Sequence, residues 1–138
     1  MKKSVILVVA FTFVILLTVP AWAQYQDTQG TGQSIGACII IDKPGSYVLA
    51  GNITARRSNL KRIAADRTAG CILIVADFVS LDLHGYSITG PGLDMEAFGI
   101  YSTANASGKQ PIATHVRNGS IANFNRGFDV DEDPAQGA

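Results

Sequence analysis

The feature that most constrains the fold of this chain is an internal repetition of short β-prone runs. Residues 38–41, 71–74 and 99–102 open three units, and within each unit further runs rich in Ile, Val, Leu and Tyr are separated by Gly or Asn-Gly turns. Residues 127–130 begin a fourth unit, after which the pattern stops. Such repetition predicts a solenoid, in which each coil buries its inward side chains against the neighbouring coils.

The second unit shows most clearly how a coil is built. Val79, Leu81 and Leu83 alternate with Ser80 and Asp82, so we expect the apolar side chains to point inward and the polar ones to face solvent.

Corner turns are predicted where these runs end, at His84-Gly85 and, one unit later, at Asn118-Gly119. The residue before such a glycine often needs a positive φ, which His and Asn tolerate better than β-branched residues do.

The runs at 79–90, 99–100 and 116–121 resemble the repeats of right-handed parallel β-helix proteins, the pectin-lyase-like superfold that includes periplasmic proteins of the NosD type. The resemblance covers residues 38–130. It implies an all-β fold, a right-handed parallel β-helix of about three coils. It says little about activity, because the repeats record how coils stack and not what their surface does. His84 departs from the Asn that is usual at this corner.

The N-terminus has the pattern of a secretory signal peptide. Lys2 and Lys3 precede an apolar run over residues 5–17, and Ala21-Trp22-Ala23 is a small-x-small cleavage site. We predict a signal-peptide helix over residues 1–23, cleavage after Ala23, and export to the periplasm or outside a bacterial cell. After cleavage no membrane span is expected. The alternative is an uncleaved anchor, because the apolar segment is only just shorter than the roughly 20 residues that a spanning helix needs.

The rest of the chain is long enough for one domain. We predict a flexible lead-in over residues 24–36, coils over residues 37–130 with a basic insert at 55–69, and an acidic flexible tail over 131–138. The tail resembles neither another coil nor an obvious cap. This favours a truncated array over a complete small solenoid, and we expect self-association through the open last coil.

Cys38 and Cys71 begin equivalent strands. Neighbouring strands lie about 4.8 Å apart, within the Cα separation that a disulfide allows, and an exported protein meets an oxidising environment. A disulfide between them is predicted. The alternative is a pair of buried thiols that act as small apolar residues.

The basic insert is a candidate site for acidic ligands. It could form a short helix with Leu60, Ile63 and Ala64 on one side, which would cover the open end of the solenoid's apolar interior. A solvated connecting loop or cap is the favoured alternative. The five candidate ligand-binding residues are Arg56, Arg57, Lys61, Arg62 and Arg67.

No catalytic or metal-binding constellation can be assembled from the sequence. The candidate residues are Asp77, Asp82, Asp94, Glu96, His84 and His115. Asp82 is expected to pair with Arg117 one coil on, as a surface ion pair and not as half of an acid–base pair. Asp94 and Glu96 are better explained as a polar loop than as calcium ligands. We therefore predict no catalytic residue, no metal and no cofactor.

The net charge and the repeat pattern together limit the possible functions of the chain. Lys2 and Lys3 belong to the predicted signal peptide, which leaves the mature chain slightly acidic and argues against nucleic-acid binding. We expect a non-catalytic exported β-helix protein or fragment that binds a polysaccharide or another envelope component. The alternative is the N-terminal part of a polysaccharide lyase or glycoside hydrolase whose catalytic coils lie elsewhere.

Overall fold

The computed structural model describes residues 32–63 and 66–130, without the side chains of residues 66 and 67. The predicted signal peptide, residues 24–31 of the lead-in and the acidic tail lie outside the described residues. No helix is found within the described part, so none there is long and apolar enough to cross a membrane.

The regular secondary structure of the described residues consists of twelve β-strands. In chain order these are β1 (Gln33–Ile35), β2 (Ile39–Ile41), β3 (Gly45–Leu49), β4 (Ile53–Thr54), β5 (Lys61–Ile63), β6 (Asp66–Ile74), β7 (Val79–Asp82), β8 (Ser87–Thr89), β9 (Ala97–Ser102), β10 (His115–Arg117), β11 (Ser120–Ala122) and β12 (Arg126–Val130).

Eleven of these strands form three parallel sheets. Sheet A has the order β1-β3-β7-β10, sheet B the order β12-β9-β6-β2, and sheet C the order β11-β8-β4. The chain visits sheets B, A and C in that order three times: as β2-β3-β4 (the first repeat), β6-β7-β8 (the second repeat) and β9-β10-β11 (the third repeat). The prediction of an all-β protein with parallel sheets is confirmed.

The core lies between the sheets and is built from aligned apolar columns. Tyr47 on β3 is aligned with Leu81 on β7, which is aligned with Val116 on β10. Val79 and Leu81 are fully buried, whereas Ser80 and Asp82 between and beside them are partly exposed. The alternation of apolar and polar residues therefore places every second side chain of β7 in the core.

The predicted disulfide between Cys38 and Cys71 is present, with a Cα–Cα separation of 4.4 Å. Both cysteines are buried. Cys38 directly precedes Ile39 and Cys71 directly precedes Ile72, and these two isoleucines are aligned in sheet B. The bond thus joins equivalent positions of the first and second repeats.

The lead-in ends earlier than predicted. Gln33–Ile35 is not flexible but forms β1, which pairs in parallel with β3 and aligns Ile35 with Leu49. Ile35 is buried, and the burial of this one aliphatic side chain is the physical reason for order in an otherwise polar segment.

The helix considered for the basic insert is wrong. β5 pairs antiparallel with the first part of β6, aligning Lys61 with Gly70. Leu60 packs against the main core, whereas Ile63 packs against a separate cluster around Leu73. One face of a helix could not deliver Leu60 and Ile63 to two separate clusters, whereas the extended segment, with its register shift between Arg62 and Ile63, does so.

That separate cluster covers the outer face of sheet B. Leu73, Phe98 and Tyr101 form its buried part, and the Phe98 and Tyr101 rings stack with centroids 4.3 Å apart. The Arg126 guanidinium lies 5.5 Å from the centroid of the Phe98 ring. Sheet B is therefore apolar on both faces, unlike sheet A.

Candidate functional site

An open groove with a volume of about 310 Å³ lies over sheet A, and we call it the sheet A groove. It crosses β3, β7 and β10, one strand from each repeat. Its lining residues are Gly45, Ser46, Phe78, Val79, Ser80, Ala113 and His115.

A polar row crosses the groove. Ser46 is aligned with Ser80 on the neighbouring strand, and Ser80 with His115 on the next. Adjacent strands lie about 4.8 Å apart, so two hydroxyls and an imidazole follow one another at that spacing. Each of these groups both donates and accepts hydrogen bonds when the imidazole is neutral.

Phe78 supplies the apolar surface of the groove, with 62% of the residue exposed. Its backbone has a φ of 55°, a left-handed conformation that costs an aromatic residue about 1–2 kcal/mol. Two backbone hydrogen bonds hold it there: its N–H donates to Ile112 O at 2.8 Å, and its carbonyl accepts from Gly45 N at 3.1 Å. The backbone of Phe78 is thus hydrogen-bonded to both adjacent repeats.

Asp77 anchors the third-repeat wall of the groove. Its carboxylate accepts hydrogen bonds from the Lys109 ammonium and, at 3.1 Å, from the Ile112 N–H. The hydrogen bond from Lys109, followed by that from Ile112, holds the pKa of Asp77 below its usual range. The ionised carboxylate therefore fixes the segment that leads into Ala113 and His115.

A second carboxylate, Asp82, organises the end of β7. It accepts hydrogen bonds from the His84 N–H at 2.8 Å and from the Asn118 amide at 3.2 Å, and it lies 3.1 Å from Nε of Arg117. Partial desolvation raises the pKa of Asp82, but the hydrogen bonds from His84 and Asn118 and the Arg117 charge outweigh it, so the pKa lies below its usual value.

Asp82 thus holds the end of β7 to the corner that follows it and to β10 through its ionised carboxylate. The expected ion pair with Arg117 is present. The corner beside it has the left-handed backbone that the sequence predicts, with φ of 52° at His84 and 58° at Asn118, and the Gly85 N–H donates to Asn118 O at 2.6 Å. A side chain at position 119 would collide with Leu83 and with the carbonyl of Tyr86, which explains the glycine there.

The predicted basic ligand site lies apart from the groove, since none of its residues lines it. Arg57 forms an exposed ion pair with Asp94 at 2.9 Å. Arg56 and Arg62 are exposed and Lys61 is half-buried, while the side chain of Arg67 lies outside the described residues. Binding of acidic ligands by this set stays a prediction.

No protein-family model, curated protein or solved structure matches the chain. In the part of the chain that the structure describes, there is also no cluster of three or more His, Cys, Asp or Glu side chains that could hold a metal ion. Functional inference therefore depends on the geometry of the sheet A groove.

The sequence reasoning did not identify this groove. His115 was considered only as a catalytic or metal-binding residue, Ser80 only as an outward residue of its strand, and Phe78 not at all. The signal available in the sequence was a large aromatic residue directly before the alternating run at 79–83. In the structure this residue, Phe78, lies at a turn, and Ala113 at the matching turn of the third repeat has a similar φ of 57°.

Proposed function

We propose that this chain is an exported protein that binds a neutral carbohydrate in the sheet A groove without cleaving it. The observation that carries this proposal is the exposed Phe78 ring beside the polar row of Ser46, Ser80 and His115. A sugar ring has an apolar C–H face and a rim of hydroxyls. An aromatic face packs against the first, and small donor–acceptor groups bind the second.

The size and charge of the groove favour an uncharged sugar unit. Its volume of about 310 Å³ is near the lower end of the range for small-molecule sites, roughly 300–1,000 Å³. His115 is the one ionisable side chain among the lining residues, and the nearby Asp82 and Arg117 are paired with each other. Such a surface lacks the concentrated positive charge that a polyanion would require.

We further propose that the three repeats wind as a right-handed parallel β-helix of the pectin-lyase-like type. The repeated visit to sheets B, A and C supports this winding, and parallel strands are joined by right-handed connections in about 98% of cases. Export is supported by the Cys38–Cys71 disulfide, since such bonds persist mainly in oxidising compartments, and by the signal-peptide pattern of residues 1–23.

The test is binding to a panel of neutral polysaccharides, measured by affinity electrophoresis and then by calorimetry with soluble oligosaccharides. Phe78→Ala should weaken binding about tenfold or more, as expected for an exposed aromatic anchor. Ser80→Ala should weaken it less. Leu93→Ala is the matched control, because Leu93 is a large apolar residue that is 65% exposed and does not line the groove.

Three outcomes would refute the proposal. One is equal binding by Phe78→Ala and the parent protein. Another is binding confined to polyanions and abolished by salt, which would point instead to the basic insert. The third is release of reducing or unsaturated ends from the polymer, which would show cleavage.

A further inference from the structure

A second row of exposed side chains runs beside the polar row, with one member at the matching corner of each repeat, and we call it the corner row. Backbone hydrogen bonds align it: the Gly45 N–H donates to Phe78 O at 3.1 Å, and the Phe78 N–H donates to Ile112 O at 2.8 Å. Phe78 and Ala113 also share a left-handed backbone, with φ of 55° and 57°. The corner row consists of Pro44, Phe78 and Ala113, which are all apolar and exposed.

The second and third repeats each present one apolar and one polar side chain to the sheet A groove. In the second repeat these are Phe78 and Ser80, and in the third they are Ala113 and His115. Ser80 and His115 are aligned on adjacent strands, about 4.8 Å apart, and the strand spacing relates Phe78 to Ala113 in the same way. The groove therefore holds two equivalent pairs, side by side along the stack of repeats.

Exposure of the two rows is a property of the outer face of sheet A. Repeats stack edge to edge through the hydrogen bonds of their strands, so a neighbouring repeat lengthens the rows and does not cover them. Phe78 illustrates this, because β7 is paired with β3 on one side and β10 on the other, yet 62% of the residue is exposed.

We propose that each pair is one sugar subsite, and that the ligand is a linear glycan whose chain runs along the stack, across the strands of sheet A. The inference rests on the proposed function and adds the class of carbohydrate and its direction. One face of each sugar ring packs on the corner row, while its hydroxyls meet Ser80 or His115. The strand spacing is comparable to the length of one sugar unit in an extended chain, so successive units repeat the same contacts.

Ala113 determines how much the second subsite contributes. Its methyl group offers little apolar surface, whereas Phe78 offers a whole aromatic ring. A single sugar therefore occupies the Phe78 subsite, and the next unit adds the weaker contacts of Ala113 and His115. Because the φ of Ala113 is nearly that of Phe78, Ala113→Phe places a second ring on a backbone that already carries one at the matching corner.

The experiment is calorimetry with size-fractionated oligosaccharides of one, two and three units, prepared by acid hydrolysis of the neutral polysaccharide that the parent protein binds in the panel. The Kd of the parent protein should fall about threefold or more from one unit to two. Ala113→Phe should lower the Kd for two units a further threefold to tenfold, roughly the effect of one aromatic contact, and change the Kd for one unit by no more than about twofold.

Two other variants test the assignment of the subsites. His115→Ala should raise the Kd for two units about threefold or more and leave the Kd for one unit unchanged, because His115 contacts only the second unit. Leu93→Phe is the matched control, since it adds a ring at an exposed position that does not line the groove, and it should bind as the parent protein does.

Equal affinity of the parent protein for one unit and for two, with binding lost in Phe78→Ala, would overturn the linear-glycan inference and leave the proposed function standing. The inference also fails if Ala113→Phe binds two units no more tightly than the parent protein. Absence of binding to every neutral oligosaccharide would end both proposals. Cooperative unfolding shows that each variant has folded, and if Ala113→Phe does not fold, the size series on the parent protein and on His115→Ala decides the result.

Discussion

Loss of the Cys38–Cys71 disulfide should destabilise this protein by about 3.7 kcal/mol, the value that the chain-entropy relation gives at 25 °C for a sequence separation of 33 residues. The physical reason is that the bond restricts the unfolded chain, because it joins the first repeat to the second across the β5–β6 hairpin. Small domains are typically stable by only about 5–15 kcal/mol, so the effect should be large.

The assay is urea unfolding followed by circular dichroism, on the oxidised protein, the reduced protein and Cys38→Ala/Cys71→Ala. The oxidised and reduced forms differ mainly in the cross-link, whereas the reduced form and the double variant differ in the packing of the two buried thiols. Comparing all three therefore separates chain entropy from packing. A difference of less than about 1 kcal/mol between the oxidised and reduced forms would refute the entropic reasoning.

Two further predictions concern the corner at the end of β7. The pKa of Asp82 is lowered in the folded state, so its stabilisation is complete above about pH 4 and is lost as the pH falls through the folded-state value. Asp82→Asn should lower the free energy of unfolding by about 1 kcal/mol at neutral pH. It should also reduce the loss of unfolding free energy as the pH falls below about 4, and an unchanged loss would contradict this. The φ of His84 is 52°, so in urea unfolding His84→Val should destabilise the protein by about 1–2 kcal/mol, whereas His84→Gly should be nearly neutral. Equal effects of the two substitutions would count against backbone strain at this position.

Features that depend on local physics could be predicted from the sequence. The alternation at 79–83 identified a strand with one buried face, since successive side chains of a strand point to opposite sides. His84-Gly85 marked a turn because few residues adopt a positive φ. Cys38 and Cys71 were paired because each opens an equivalent run, and equivalent runs lie side by side in parallel sheets.

Features that depend on competition between distant packing sites could not be predicted from the sequence. Leu60 and Ile63 are spaced as on one face of a helix, and only the presence of a second apolar cluster at Leu73 shows why the segment is extended. β1 was missed for a similar reason, because Ile35 gains its burial from Leu49 in another strand.

The sequence by itself determined the all-β class, the repeated unit and the position of the cross-link, because inward apolar residues and turn residues have few acceptable environments. Only the tertiary structure decided which outward residues became neighbours. Ser46, Ser80 and His115 form a row because the buried columns set the register between their strands, and nothing in their own spacing along the chain requires it. The sheet A groove is a consequence of that register, since it consists of side chains from all three repeats that the register brings together.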